Sequence, residues 1–426
     1  MASKRLETLC KSLTREVGSL SSLTGRDDYV ARSKVADIAR ELINETTHPS
    51  DVAAQYTINM AEMACLRMFQ KWKLLDKIPA SGSISYEDLS ASINADKNLI
   101  GASAIPPFHG HLWNATNLIK ARMGQMLVAT GKLRQPSPSH VAHTRLSTAF
   151  AHRSPPAVWF SMSFDETLGP WTHWPRYFAK YGPQQPSGQT AVPMTFAEGV
   201  DGELTCYEVI ARGGPERMAD FADGMQGIPE LMPAAGIYDF EWVGQAVAKG
   251  EVDLDVPLIV DVGGNLGQAL LEIIAHTESS IPPDRCVLQD RADVISAAEG
   301  LENSVLKKIR KMPVDYHQGQ PLKGALIYYV RRCLHGFTDE VSVNLLKHLA
   351  AALPADPRAR VLICEQITTT PPDPYTTMMD ICMMNVGSKE RSEDDFTRLV
   401  AAAGMKVIKF HRGEGVATHV IECARA

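Results

Sequence analysis

At 426 residues, with 45% hydrophobic residues, 22% charged residues and a formal net charge of -6, the chain has the composition of a globular protein of two or three domains. No Lys/Arg block or basic-aromatic stripe is present, which argues against a nucleic-acid partner, and no apolar run reaches the roughly 18–20 residues that a membrane helix needs. The eight cysteines are scattered without a CxxC, so no disulfide framework and no metal site is expected, and the setting is read as reducing and cytoplasmic.

The first 25 residues carry charge in every turn, unlike a secretory signal, and place Leu6, Leu9, Leu13, Val17 and Leu20 at helical spacing. The same spacing recurs over 56–75. Ser85, with Asp88 three residues on, reads as a helix cap. A further helix is expected over 117–130, followed by Gly131 and a hairpin-like segment ending in VAHTRLSTAF. Residues 1–150 are thus predicted to form a helical, winged-helix-like module; lacking a basic face, it suits protein contacts. Asn98-Leu-Ile recurs as Asn117-Leu-Ile around GASAIPPFHGHLWNAT, which reads as an inserted loop over 101–116; its His109-Gly-His111 is weak evidence for a metal. Residues 151–245, rich in Pro and carrying Trp159, Trp171 and Trp174, are expected to link the domains and roof a pocket, with helices near 196–211 and 215–227.

From about 255 the pattern changes. Short apolar runs at 258–263, 285–290, 325–330, 360–365, 406–412 and 419–425 alternate with helical stretches, one of them over 393–403. Continuous β-rich runs separated by helices predict an α/β fold with a doubly wound, mostly parallel, Rossmann-like sheet. Only Gly413 to Thr418 join the last two runs, too few for a parallel crossover, so these strands must form an antiparallel hairpin.

VDVGGNLG, over 260–267, follows a strand and opens a helix. Its glycines would let the backbone approach a ligand, and the helix N-terminus can hold a carboxylate; a tight turn without a ligand is the lesser alternative. Asp290 ends the next strand, 27 residues past Gly263, where an acid can accept both hydroxyls of a ribose or cap the following helix.

With VLQDRADVI, PLKGALIYYVRRCLHGFTDE, VLICEQ, MMDICMMNVGSKERSEDDFTRLVAAAGM and HVAHTRLSTAF, these motifs resemble the plant caffeate/flavonoid O-methyltransferases and, more closely, the O-methyltransferases of fungal natural-product clusters, over residues 55–426. The resemblance implies a class I S-adenosylmethionine (SAM) methyltransferase domain over 246–426, with a seven-stranded sheet ending in an antiparallel hairpin, and a homodimer formed through the N-terminal helices. It places Asp261, Gly263 and Gly264 at the methionine end of SAM and Asp290 at its ribose, with Arg291 beside it. Asp315 and Tyr316 fall near the adenine, and Arg331 falls in the cofactor region, with Arg332 a competing candidate. His335 becomes the base that removes a proton from a small-molecule hydroxyl, flanked by Glu365 and Glu390. Met379, Met383, Met384 and Asn385 are read as lining the acceptor site, with Met225 a further candidate, because soft methionines adapt to irregular apolar ligands; their helical spacing would equally make the methionines core. No metal enters this scheme.

The chain departs from the resemblance where His-Asp-Trp is here His335-Gly336-Phe337, and where Asn265 replaces a glycine. The lost aspartate keeps a second reading open: a pericyclase of the same fold that transfers no methyl. Retention of His335, Glu365 and Glu390 argues against a non-catalytic relic.

Overall fold

The computed structural model describes residues 2–20, 23–94, 100, 122–227, 231–413 and 416–426. They fall into two units, Met1–Leu168 with Gly214–Gly227, and Gly169–Gly213 with Ile228–Ala426.

In the first unit the amphipathic N-terminal segment forms the helix Ala2–Ser19, which lies against Gly25–Thr46. The helix Val52–Lys71 buries Leu66 and Phe69 in a core with Leu74, Leu75, Tyr86, Leu89, Leu127 and Val141. Ser85 caps the helix Tyr86–Ala91, its Oγ accepting from the Asp88 N–H at 3.0 Å. The expected hairpin is present: β2 (Leu133–Ser137) pairs antiparallel with β3 (His140–His143), and the short β1 (Ile84–Ser85) adds to β3. Met123–Ala129 is the described part of the helix expected over 117–130. The insert at 101–116, with His109 and His111, lies outside the described residues.

The second unit is built on a seven-stranded sheet. Its strands are β4 (Ile259–Val262), β5 (Cys286–Asp290), β6 (Arg310–Pro313), β7 (Ile327–Arg331), β8 (Arg360–Gln366), β9 (Met405–Arg412) and β10 (Thr418–Arg425), in the order β6-β5-β4-β7-β8-β10-β9. The first five are parallel; β10 runs antiparallel to both β8 and β9, the hairpin required by the short connection. Because helices cover both faces, the central strands are largely apolar rather than alternating, with Asp261 and Gln289 among the buried exceptions. Ile259, Leu288, Ile327 and Leu362 pack with Leu270 and Ile273 of the helix Gln268–His276. Val260, Val287, Val330 and Ile363 pack with Leu345, Leu346 and Leu349 of Asp339–Ala352 and with Phe396, Leu399 and Val400 of Glu393–Ala402.

Two elements differ from expectation. β6 gave no apolar run because it is an edge strand paired only with β5, and its sequence, RKMP, is half polar and ends in proline. The helix expected over 196–211 is broken into Pro193–Ala197 and Cys206–Arg212, because Gly199 (φ 70°) and Gly202 (φ 87°) turn left-handed between them. Among the described residues no helix is long and apolar enough to cross a membrane.

Phe396 is 1% exposed at the centre of one face's core. Phe396→Ala is expected to lower unfolding free energy by about 3–5 kcal/mol in a denaturant titration; a loss below about 1 kcal/mol would contradict this packing.

Candidate active site

The chain winds outward through β4, β5 and β6, then returns to place β7 beside β4. The strand order therefore reverses between β4 and β7, and open α/β sheets bind ligands at the carboxyl ends beside such a reversal. The turn after β4 requires left-handed backbone at Gly263 (φ 73°), Asn265 (φ 53°) and Gly267 (φ 86°), and asparagine tolerates that region better than most residues. Gly264 is demanded by space: a Cβ there would lie 2.4 Å from Asp261 Oδ2 and 2.6 Å from Leu288 Cδ1. Asp290 ties this turn to the next, its Oδ2 accepting from Asn265 N–H at 2.8 Å and its Oδ1 from Arg291 N–H at 2.7 Å. Each carboxylate oxygen keeps a second lone pair for a ligand hydroxyl.

Beneath the turn, Asp261 is buried with neither carboxylate oxygen hydrogen-bonded. Burial pushes its pKa up to about 7; Arg331 opposes the shift and Asp290 adds to it. Arg331 donates through Nη2 to Met232 O at 2.5 Å, while its Nε is buried without a partner. A buried acid and a partly buried cation with open hydrogen-bonding capacity beside a glycine turn suit a ligand that carries both an ammonium and a carboxylate.

The remaining expected cofactor residues divide. Tyr316 packs against the turn: a Cβ on Gly263 would lie 3.4 Å from its Cε1. Its ring stands 6.4 Å from that of Phe337, the residue found in place of the family's tryptophan. Asp315 caps its own loop, Oδ1 accepting from His317 N–H at 3.0 Å. Arg291 pairs with Asp293 at 2.8 Å and lies over the Tyr207 ring at 4.8 Å. Arg332, the competing candidate, turns left-handed (φ 52°) at the exit of β7.

His335 lies on a single turn, Leu334–Gly336, immediately after β7. Its Nδ1 meets Glu390 Oε1 at 3.0 Å and Glu365 Oε2 at 4.0 Å, and all three side chains are buried. The two carboxylates act differently. Glu365 Oε1 accepts from the N–H groups of Cys333 and Leu334, at 2.8 and 2.7 Å, and so holds the turn that carries the histidine. Glu390 binds the imidazole itself, and its backbone N–H donates to Asp380 Oδ1 at 2.8 Å. Burial alone would depress the His335 pKa, but Glu390 and Glu365, with the hydrogen bond to Glu390, outweigh burial and the opposing Arg332 and leave it raised. Burial likewise raises Glu365. With Nδ1–H turned to Glu390, Nε2 is the ring atom left for chemistry. Among the described residues this is the only group of three or more His, Cys, Asp or Glu side chains whose ligand atoms all lie within 4.8 Å of one another, but a cation there would have to displace the imidazole–Glu390 hydrogen bond.

Met379 and Met383 belong to the helix Pro374–Met384, and Asn385 caps it. Asn385 is buried and oriented by its neighbours: Oδ1 accepts from Trp174 Nε1 at 2.8 Å, and its backbone oxygen accepts from Met194 N–H at 3.0 Å. The Trp171 ring lies 6.4 Å from that of Trp174. Met225, by contrast, ends the helix Pro215–Met225 in the first unit. Sequence reasoning passed over Arg391, a fully buried arginine directly after Glu390. Its neighbours Lys389, Glu390 and Glu393 make it one charge among several, and nothing in that segment marks it as buried.

A family model for the O-methyltransferase domain matches residues 204–406. The chain is 89% identical over all 426 residues, covering 100% of both chains, to the methyltransferase cfoD of Aspergillus candidus. It is 34% identical to the methyltransferase pynC of Aspergillus niger, over 86% of this chain and 95% of that one. The chain belongs to the O-methyltransferase family. It is a SAM-dependent O-methyltransferase, and SAM is its cofactor. In fold it is similar to OxaC solved with S-adenosylhomocysteine and oxaline (TM-score 0.80, 20% identity, 100% of both chains) and to LepI solved with SAM (TM-score 0.78, 19% identity, 99% of both chains). The glycine turn, the open capacity of Asp261 and Arg331, and Asp290 fit such a cofactor.

A raised folded-state pKa means that the folded protein holds a proton on Asp261 that the unfolded chain has already released. Stability therefore falls as pH rises from about 4, the ordinary aspartate value, to about 7. Asp261→Asn, neutral and of equal size, is expected to raise the thermal midpoint of the ligand-free methyltransferase at pH 8 and to lose that advantage below about pH 4. Equal midpoints at both pH values would show that the Asp261 charge is compensated.

Proposed function

We propose that the enzyme methylates a phenolic or enolic hydroxyl of a small polyketide-like or alkaloid-like metabolite, with His335 as the general base. The observation that carries this reading is the buried hydrogen bond between His335 Nδ1 and Glu390. SAM, when bound, supplies a methyl on a cationic sulfonium, already activated toward a nucleophile. The acceptor hydroxyl is the weaker partner, so the protein's chemical task is to remove its proton as attack proceeds. His335 Nε2 takes that proton, and Glu390 stabilises the imidazolium that results. General-base catalysis of this kind contributes about 10²–10⁴-fold.

Asp261, Gly263 and Gly264 would hold the methionine end of the cofactor, with Arg331 nearby, and Asp290 would hold its ribose. Tyr316, against Gly263, would border the adenine, with Asp315 and Arg291 at its rim. Met379 and Met383, whose soft side chains adapt to irregular apolar shapes, together with Trp171, Trp174 and Asn385, suit a planar acceptor with few polar groups. Met225 is a further candidate for the acceptor side. Holding hydroxyl, methyl and sulfur in line supplies the rest of the rate.

We also read the enzyme as a cytoplasmic homodimer. Eight unpaired cysteines support a reducing setting. The exposed Ile43, Tyr56, Ile58 and Met60 on the N-terminal helices support a second copy as the partner.

Against a panel of phenolic and enolic acceptors, His335→Ala is expected to lower methyl transfer by about 10²–10⁴-fold while SAM affinity, read by calorimetry, stays within about threefold. Turnover rises with pH as His335 loses its proton, with an inflection above the ordinary histidine value of about 6.5. Glu390→Gln removes the stabilising charge and moves that inflection down. Unchanged turnover in His335→Ala would remove the base assignment.

A further inference from the structure

We propose that Arg391 is a positioning residue for the base. Its guanidinium clamps the turn that carries His335 and thereby sets the hydrogen bond between His335 and Glu390. The proposal rests on the reading of His335 as the base.

The His335 turn is gripped from both sides. Its N–H groups, on Cys333 and Leu334, are held by the Glu365 carboxylate. Its carbonyls are held by Arg391, whose Nη1 donates to Leu334 O and Nη2 to Phe337 O, both at 2.7 Å. These carbonyls bracket His335 and Gly336. The same guanidinium donates to Asp339 Oδ1, from Nε at 3.0 Å and from Nη2 at 2.8 Å, and Nη2 reaches Ser342 Oγ at 3.5 Å. Arg391 is therefore anchored to the first residue of the helix Asp339–Ala352 as well as to the turn.

Its backbone completes the frame. Arg391 O accepts from Thr368 N–H at 3.0 Å, and Arg391 bridges Ile367 in parallel, just beyond β8 and Glu365. Three consecutive residues thus meet the same segment: Lys389 Nζ pairs with Asp339 Oδ2 at 3.0 Å, Glu390 binds His335, and Arg391 holds the turn. A guanidinium is suited to this task because it presents five donors in one rigid plane, whereas the three donors of an ammonium converge on one nitrogen. Leu334 is packed in the core, but Gly336 next to the histidine carries no side chain to hold the turn there, and the clamp adds resistance to its rotation.

The charged groups facing His335 are Glu390 and Glu365, which favour its protonated form, and Arg332, which opposes it. Arg391 enters this balance through geometry: without the fork, the imidazole is no longer fixed at 3.0 Å from Glu390.

The test is a histidine-selective NMR titration of the full-length protein without acceptor, the His335 resonance being identified by its loss in His335→Ala. In Arg391→Lys, which keeps the charge and loses the fork, the His335 pKa is expected to move down toward the ordinary histidine value, while SAM affinity stays within about threefold of wild type. An unmoved pKa in a protein that still binds SAM overturns the proposal. Asp339→Asn, at a half-exposed position, serves if Arg391→Lys does not fold: a smaller downward movement supports the clamp, and no movement overturns it. Activity separates this proposal from the one beneath it. A His335→Ala enzyme at full turnover would remove the base itself, whereas an inactive His335→Ala with an unmoved pKa in Arg391→Lys would remove only the role of Arg391.

Discussion

A buried imidazole beside two buried carboxylates is an expensive arrangement, because each charge has left water and only mutual pairing offsets that loss. The rest of the second unit is arranged around this cluster. β7 delivers His335, β8 delivers Glu365, and the loop after the helix Pro374–Met384 returns Glu390 to the same point. Glu365 is occupied by the backbone of the histidine turn, so its charge is partly answered by two N–H donors. Glu390 alone bonds the ring. One carboxylate builds the site and the other tunes it, a division that residue type cannot reveal.

The same economy of burial operates at the cofactor end. Asp261 is placed under the glycine turn with no hydrogen-bond partner, and burial raises its pKa to about 7. A protein selected only for stability would put an apolar residue there. An acid kept at such a position is a mark of function, since unpaired buried polar groups cost free energy in the ligand-free state. Asp290 is the opposite case: it serves the fold by tying two turns together, and each of its oxygens keeps a lone pair beyond those bonds.

Much of this was legible in the sequence, and the reasons are local. The parallel strands announce themselves as apolar runs because both faces of the sheet are covered. The hairpin at the end follows from the length of one connection. The left-handed turn after β4 follows from its glycines and Asn265. What stayed hidden depends on contacts distant in sequence. β6 is a polar edge strand and carries no pattern. Gly199 and Gly202 interrupt a segment whose composition reads as helix. The Asp315 carboxylate accepts from the His317 N–H within its own loop, a contact that no motif announces. Arg391 was passed over in the sequence, and only the fold shows its guanidinium against the carbonyls of Leu334 and Phe337, on either side of His335.

The loss of the aspartate after His335 leaves a glycine, and the turn's rigidity then comes from outside it, from Glu365 and Arg391. The central claim is that this assembly exists to move a proton so that a methyl can follow. The most direct measurement counts S-adenosylhomocysteine against product, using purified enzyme, SAM and a hydroxyl acceptor that is consumed. The account predicts one S-adenosylhomocysteine for each O-methylated product. Acceptor converted with no S-adenosylhomocysteine released would contradict it and point to chemistry in the same pocket that transfers no methyl.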